Sequence, residues 1–537
     1  MRPWLEQRSG LLTLILVAIA TLRIVSTYHV FANTGDEPAH LACGIEYLAK
    51  HVYRYETQHP PLARAMAALG PFLAGARPQG REKFVQEGMA LINYQHHPEL
   101  TLDLMRLGVL PFFLLACFVV WSWSARAFGK AAAVLATGLF TMMPPVLAHA
   151  SVGCTDMALA ACLGAAYLAL LLWAEDPTLR RGLIFGIAAG LAFLTKFTSI
   201  GYLPAAAALS LFAYLATARP TVSEVMALAR ARAASFGAGA VAAVMLIWCA
   251  YFFSFGPVPV WGVKLPAPEF FDGIRTAMEH NRLGHPAYLL GQTSSRGWWY
   301  YFPIVLAVKT PIAFLLLVAG GTFAAWRHRT NLAYQLPVAF ALGVLIPAMT
   351  SHVNIGVRHI LPIYIGLSVL AAVALVELAE RSPRWGAIAG TALILWLAVS
   401  GVLAHPDYIP YFNELAGEPD KVLVDSDYDW GQDTKRLAQR LRELGATSVS
   451  FGGIGASDDE FLQEFPGLPP IHKIHPLEPA EGWTAVNPTL WRSVEYGLYH
   501  KHPTVKPWFE QFPQFLHERV GTLLLFYVPP GAFRRVR

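Results

Sequence analysis

Apolar runs of the length needed to cross a hydrocarbon core of about 30 Å recur through the first three quarters of the chain. They fall at 11–32, 103–125, 131–149, 155–174, 182–196, 200–217, 233–255, 301–326, 334–350, 358–379 and 385–404, which predicts about eleven transmembrane helices. Only Lys196 interrupts the apolar stretch holding the fifth and sixth. The first run exceeds a signal-peptide h-region and no small-residue cleavage site follows it, so it is expected to persist as a helix. Beyond residue 404 the pattern changes, and 31 of the chain's 77 charged residues lie there. In that segment Val422–Val424, Ser448–Phe451 and Thr522–Val528 read as short strands, and Asp433–Leu444 as an amphipathic helix. The expected architecture is a polytopic α-helical membrane domain over 1–404 followed by a soluble α/β domain over 405–537.

Composition excludes a water-soluble globule: of 537 residues 55% are hydrophobic and 14% charged, against roughly 25% charged in soluble domains. The net charge of +5 is modest, and the basic residues form no stripe with interleaved aromatics, so nucleic acid is not an expected partner. The five cysteines show no CxxC spacing, which indicates neither a zinc site nor a disulfide framework. Cations instead gather in alternate connections: Arg2 and Arg8, Arg126 and Lys130, Arg180 and Arg181, Arg219 with Arg230 and Arg232, Arg327 and Arg329, Arg381 and Arg384. Short loops rich in Lys and Arg stay cytoplasmic. The N-terminus is therefore expected inside a plasma (inner) membrane, with segments near 33–102 and 256–300 and everything after 404 on the extracytoplasmic side, where no nucleotide pool exists.

Candidate chemistry lies on that outer side. Asp36 and Glu37 follow the first helix, between Gly35 and Pro38; adjacent carboxylates there suit a general base or a metal ligand, or simply a helix N-cap. Asp156 stands at the outer start of another helix with the same two readings. Lys196 and the pair Arg358-His359 offer charge for a phosphate, whereas Lys309 is expected to snorkel to lipid head groups. His59 and Arg64 sit in the first large loop, as does His96-His97-Pro98, which lacks the helical spacing of a zinc site. Trp298-Trp299-Tyr300 is an interfacial belt or a surface for stacking sugars. Asp425, Asp427 and Asp429 alternate like a calcium loop, but Gly431 falls one position late and Arg436 replaces the closing Glu; an acceptor-binding appendage or a capped turn packed on the membrane domain fits better.

Together, Thr34-Gly35-Asp36-Glu37, His59-Pro60-Pro61-Leu62, Thr155-Asp156, Lys196-Phe197-Thr198, Gly297-Trp298-Trp299-Tyr300-Tyr301-Phe302-Pro303 and Arg358-His359-Ile360-Leu361-Pro362 resemble the lipid-carrier-dependent glycosyltransferases of GT-C type. These are the bacterial relatives of protein mannosyltransferases and aminoarabinose transferases, glycosyltransferase family 39 and its neighbours. The resemblance implies an inverting transferase that moves a sugar from a polyprenyl-phosphate carrier to a glycan, lipid or protein acceptor. It implies Asp36 as catalytic base beside Glu37, Asp156 as a second acidic site, and Lys196, Arg358 and His359 around the carrier phosphate. His59, Arg64, Trp298, Trp299 and Tyr300 then face the sugar or acceptor. No metal ligands are assigned, and assistance by a divalent cation (Mg or Mn) is left open. The rival readings are a ligase or polymerase using diphosphate-linked oligosaccharides, or a transporter or flippase of lipid-linked sugars. Charges gathered at outer helix ends and asymmetric outer loops favour the transferase over a transporter.

Overall fold

The computed structural model describes residues 6–93, 97–258, 262–452, 467–474, 480–492 and 508–532. Every apolar window is helical. The helices run α1 Ser9–Val25, α2 Glu37–Lys50, α3 Pro61–Leu73, α4 Phe84–Ile92, α5 Pro98–Leu107, α6 Leu110–Phe128, α7 Lys130–Thr141, α8 Pro144–Ala150, α9 Asp156–Glu175, α10 Leu179–Phe193, α11 Ser199–Ala218, α12 Val222–Ala250, α13 Pro268–Leu283, α14 Tyr301–Lys309, α15 Ile312–Arg327, α16 Leu332–Met349, α17 Ile363–Arg381 and α18 Pro383–Leu403. Seven helices among the described residues are long and apolar enough to span a membrane, and two bent pairs raise that to nine. Helix α1, with 17 residues, is shorter than its window suggested, and α10, with 15, lies three positions earlier than its own.

The two bent windows depart from the expected straight helices for a shared reason. Windows 131–149 and 301–326 bend by 67° between α7 and α8 and by 118° between α14 and α15. Pro144-Pro145 and Pro311 stand at the breaks, where proline removes a donor and drives the preceding residue out of the α region. At the second break Asn413 Nδ2 donates to the freed carbonyls of Ala307 and Thr310, both at 2.6 Å. Short α10 gains close packing instead: a Cβ on Gly186 would lie 1.9 Å from the Gly239 carbonyl of α12, the near approach that small residues permit between membrane helices. Helices α9 and α17 are buried nearly all round, while α12 and α18 keep most of their surface outward.

The C-terminal part begins with a stretch that joins no sheet. Val422–Val424, expected as a strand, follows a one-turn helix, Pro419–Val422, and precedes a 3-10 turn over Asp425–Asp427. Residues 405–433 instead lie against the membrane domain, because the backbone of this stretch finds its partners there: Asn413 N donates to Val308 O, and the Ala32 and Gly35 amides donate to the carbonyls of Gln432 and Trp430. The amphipathic helix α19, Thr434–Glu443, buries Leu437 and Leu441. It leads into a five-stranded sheet in which β1 Val449–Gly452 pairs in parallel with β2 Ile471–Ile474 and β3 Gly482–Val486. Two later strands, β4 Leu516–Val520 and β5 Leu523–Val528, complete it, with β5 antiparallel to β3 and to β4, so that the order is β2-β1-β3-β5-β4.

Candidate active site

Asp36 and Asp156 both occupy helix-start positions, yet neither side chain caps its helix. Each turns instead to a cation from a distant segment. Arg358 Nη1 donates to Asp36 Oδ2 at 2.5 Å, and Lys196 Nζ donates to Asp156 Oδ1 at 2.6 Å. The cap reading is therefore not realised at either position. Arg358 is set by the loop before α17, where Gly356 has φ +116° and a Cβ would lie 2.9 Å from Ser426 Oγ. Its guanidinium carbon stands 4.2 Å above the Trp430 ring, a cation–π contact that holds the head group flat. Arg358 Nε is buried with no partner.

Asp36, Lys196 and Arg358 line a cavity of about 920 Å³ together with His40, Glu56, His59, Arg64, His359, Asp425 and Trp430. Much of the remaining wall is apolar, with Ile200 from α11, Ile274 and Met278 from α13, and Pro347 and Ala348 from α16. The Asp36 side chain is 39% exposed at this wall. Burial works against its charge, but Arg358 outweighs that penalty and holds the carboxyl below the usual carboxylate range.

Arg64 organises the histidines. Its Nε donates to His40 Nδ1 at 3.0 Å, its Nη1 donates to Tyr53 OH at 2.8 Å and Glu56 O at 2.9 Å, and its Nη2 pairs with the Glu56 carboxylate. Because a guanidinium only donates, His40 Nδ1 must accept, which leaves the proton of neutral His40 on Nε2. Burial and the neighbouring Arg64 keep His40 well below its ordinary pKa, and burial does the same for His59.

Several expected site residues lie off the cavity wall. Glu37 is 0% exposed: it accepts from Arg106 Nε at 2.9 Å and Nη2 at 3.0 Å, from Gly153 N at 2.7 Å and from Thr34 N at 2.7 Å. With both oxygens so occupied, Glu37 has no face for substrate and serves to fix the Asp36 turn. Asp156, 1% exposed, lies behind Lys196 and reaches the cavity only through it. Trp298, Trp299 and Tyr300 are also off the wall. Trp298 N is held by Asn354 Oδ1 at 2.7 Å, Trp298 and Tyr300 pack on the core, and Trp299 is 67% exposed; Phe302 of the same run does line the cavity.

Lys309 corrects another expectation. It does not snorkel: it is buried, and its Nζ donates to the carbonyls of Ile409 and Asp427, both at 2.7 Å, beneath the Phe412 ring at 4.2 Å. A buried ammonium is tolerated only where its donors are satisfied, and here they fasten the C-terminal segment to α14. Nor do Asp425, Asp427 and Asp429 form a calcium loop. Asp427 Oδ1 accepts from Val357 N at 3.0 Å and Asp429 Oδ1 from Gly431 N at 2.9 Å, and among the described residues no three His, Cys, Asp or Glu side chains group to hold a metal ion. His96 lies outside the described residues, and His97 is exposed at the start of α5.

Asp425 and Trp430 were not expected on this wall. They are 389 and 394 positions away from Asp36 in the chain, and the signal that could have found them is the dense Asp425–Asp433 motif following a membrane domain.

Residues 101–253 match the family model described as dolichyl-phosphate-mannose-protein mannosyltransferase. No curated protein matches the chain. Among solved structures, ArnT from Cupriavidus metallidurans bound to undecaprenyl phosphate is similar at TM-score 0.53 and 15% identity, covering 96% of this chain and 97% of that one. The same protein in the apo state gives 0.52 and 16% over 96% and 97%. What the chain shares with ArnT at this identity is the fold, over nearly its whole length. The family model over residues 101–253 is of the mannosyltransferase kind that the motifs resemble.

Proposed function

We propose that the cavity is the active site of an inverting glycosyltransferase, which moves a sugar from a polyprenyl-phosphate carrier to an acceptor hydroxyl on the extracytoplasmic face of the plasma membrane. The observation that carries this reading is the Asp36–Arg358 pair on a cavity wall shared with Lys196. A carboxylate held ionised by a cation that a phosphate can claim is a base waiting for its substrate. When the donor phosphate engages Arg358, whose Nε has no other partner, Asp36 loses the charge that lowers its pKa. Burial is then less opposed, and its basicity rises.

Asp36 takes the proton of the acceptor hydroxyl as that oxygen attacks the anomeric carbon from the side opposite the phosphate. The bond from this carbon to the phosphate oxygen breaks, its electron pair leaves on the carrier phosphate, and Arg358 and Lys196 stabilise the charge. Asp156 holds Lys196 in place through their hydrogen bond. The apolar wall from α11, α13 and α16 suits the first isoprene units of the carrier. ArnT, whose fold is shared, was solved with undecaprenyl phosphate, and a carrier of that chemical class is the donor inferred here. The acceptor is a glycan, lipid or protein.

The test is release of free polyprenyl phosphate, followed by mass spectrometry, from synthetic polyprenyl-phosphate sugars given to purified protein with a membrane extract as acceptor source. Sugar-dependent release by wild type but not by Asp36→Asn is expected. Equal release by both would remove Asp36 as the base; no release with any monophosphate donor would turn attention to diphosphate-linked donors or to transport.

A further inference from the structure

The cavity wall includes two carboxylates that the reaction above does not use: Glu56, which is paired with Arg64, and Asp425. Asp425 comes from the C-terminal segment and is held there from several sides. Its backbone has φ +63°, a conformation uncommon for a residue with a side chain. Asp425 N donates to Thr489 Oγ1 at 3.1 Å, and the Asp425 carbonyl accepts from the amides of Tyr428 and Asp429. The next two residues hook onto the Arg358 loop: Ser426 Oγ donates to Ile355 O, and Asp427 Oδ1 takes Val357 N. Lys309 clamps the Asp427 carbonyl from the other side. A turn fixed at this many points presents its side chain to the cavity in one place, and the energy stored in an uncommon φ persists only where surroundings over-determine it.

The carboxylate keeps capacity for a ligand. Its Oδ1 accepts from Ser426 N at 2.5 Å, while Oδ2 is neither buried without a partner nor given one by its neighbours in the turn. Asp427 and Asp433 face away from the cavity, one toward Val357 N and the other toward Thr522. On the same wall Arg358, 7% exposed, holds its unpartnered Nε. A carboxylate that only accepts hydrogen bonds, on the same wall as a cation that only donates and within its electrostatic reach, suits a ligand that carries hydroxyl or amino donors close to a phosphate.

We propose that Asp425 is a sugar-recognition residue: it accepts hydrogen bonds from hydroxyl or amino groups of the donor's sugar, so that the C-terminal part of the chain helps to set which sugar is transferred. This rests on the donor assigned above. Losing a hydrogen bond between a charged acceptor and a substrate hydroxyl discriminates strongly among sugars that differ at that position.

The experiment is a panel of polyprenyl-phosphate sugars differing in single hydroxyl configurations and in amino substitution, given to the full-length protein, its Asp425→Asn variant and its Asp425→Gly variant. Glycine accepts φ +63° without strain, so Asp425→Gly removes the carboxylate while preserving the turn. The readout is kcat/KM for each donor by polyprenyl phosphate release, with binding of sugar-free polyprenyl phosphate measured alongside. Expected is a fall of about tenfold or more in the ratio between the best and second-best donors for Asp425→Gly, a smaller fall for Asp425→Asn, and unchanged affinity for the bare carrier phosphate. An unchanged donor ratio would overturn the proposal, as would an equal collapse of kcat for every donor, the mark of a residue acting on the acceptor proton. If wild type itself releases nothing from any monophosphate donor, the assigned function fails, and the Asp425 proposal falls with it by a distinguishable result.

Discussion

The turn at Thr34–His40 and the turn at Asp425–Asp433 lie at opposite ends of the chain, and each carries adjacent or alternating carboxylates. In the first, Asp36 faces the cavity and Glu37 is walled in by Arg106, Gly153 and Thr34. In the second, Asp425 faces the cavity while Asp427 and Asp433 are taken up by Val357 and Thr522. Each turn spends some of its acids on fastening itself and leaves one open. What separates the two kinds is not the residue type but whether the fold turns the side chain to the cavity wall. The first turn is tied to the helices around it, the second to the loop that carries Arg358, and Gly35 and Trp430 join the two directly through a backbone hydrogen bond.

The division predicts unequal consequences of similar mutations. Asp36→Asn is expected to lower kcat by about 10²–10⁴-fold, the usual worth of a general base, with a smaller loss of thermal midpoint in the detergent-solubilised protein than Glu37→Gln causes. Glu37→Gln should do the reverse in kind. Removing one partner of a buried pair typically costs about 3–5 kcal/mol, read as lost yield and a lowered midpoint, with kcat per folded molecule largely retained. If instead Glu37→Gln folds normally and loses only turnover, the distinction between open and walled-in carboxylates is wrong.

Lys309→Met tests the fastening of the second turn. Hydrogen bonds to charged groups contribute about 1.5–3 kcal/mol each, so the substitution should expose 405–433 to limited proteolysis before the membrane helices melt. Protection equal to wild type would show that Lys309 is not what fastens the segment.

The pH dependence sharpens the account of Asp36. Its folded pKa is depressed, so the stability it contributes is fully present above the unfolded value of about 3.9 and is lost only as pH falls through the lower folded value. The difference in thermal midpoint between wild type and Asp36→Asn should therefore stay constant from pH 8 to 5 and shrink below about 4. A difference that already shrinks near pH 6 would mean the Arg358 pair does not hold the carboxylate. The smallest effect is expected for Trp299→Ala, within about twofold in kcat/KM, because an exposed side chain away from the cavity is usually worth less than about 0.5 kcal/mol.

How much of this was legible differs by element. Asp36, Lys196 and Arg358 could be singled out because a charge beside an apolar run is costly and calls for a reason. Asp156 could be singled out on the same ground, but not its distance from the cavity: whether Lys196 stands in front of it depends on how α9 meets the α10–α11 junction. Trp298-Trp299-Tyr300 illustrates the opposite failure. An aromatic run signals an interface, yet which ring faces which side is decided by Gly297, whose φ of +61° and close approach to Asn354 turn Trp298 inward and Trp299 out. Lys309 was misread because its stem and charge match a snorkelling lysine in every local respect. Only the carbonyls of Ile409 and Asp427, a hundred and more positions later, make burial possible.

The sequence by itself determined the membrane character, the positions of the helices and the segments in which charge had to be explained, because burial in lipid penalises polar groups residue by residue and so writes itself into local composition. Tertiary structure alone decided which carboxylates remain open, where proline-broken windows bend, and that residues 405–433 close the cavity instead of belonging to the appended sheet. Those outcomes depend on donors arriving from distant segments, and a hydrogen bond across 322 positions leaves no periodic trace in the chain that forms it.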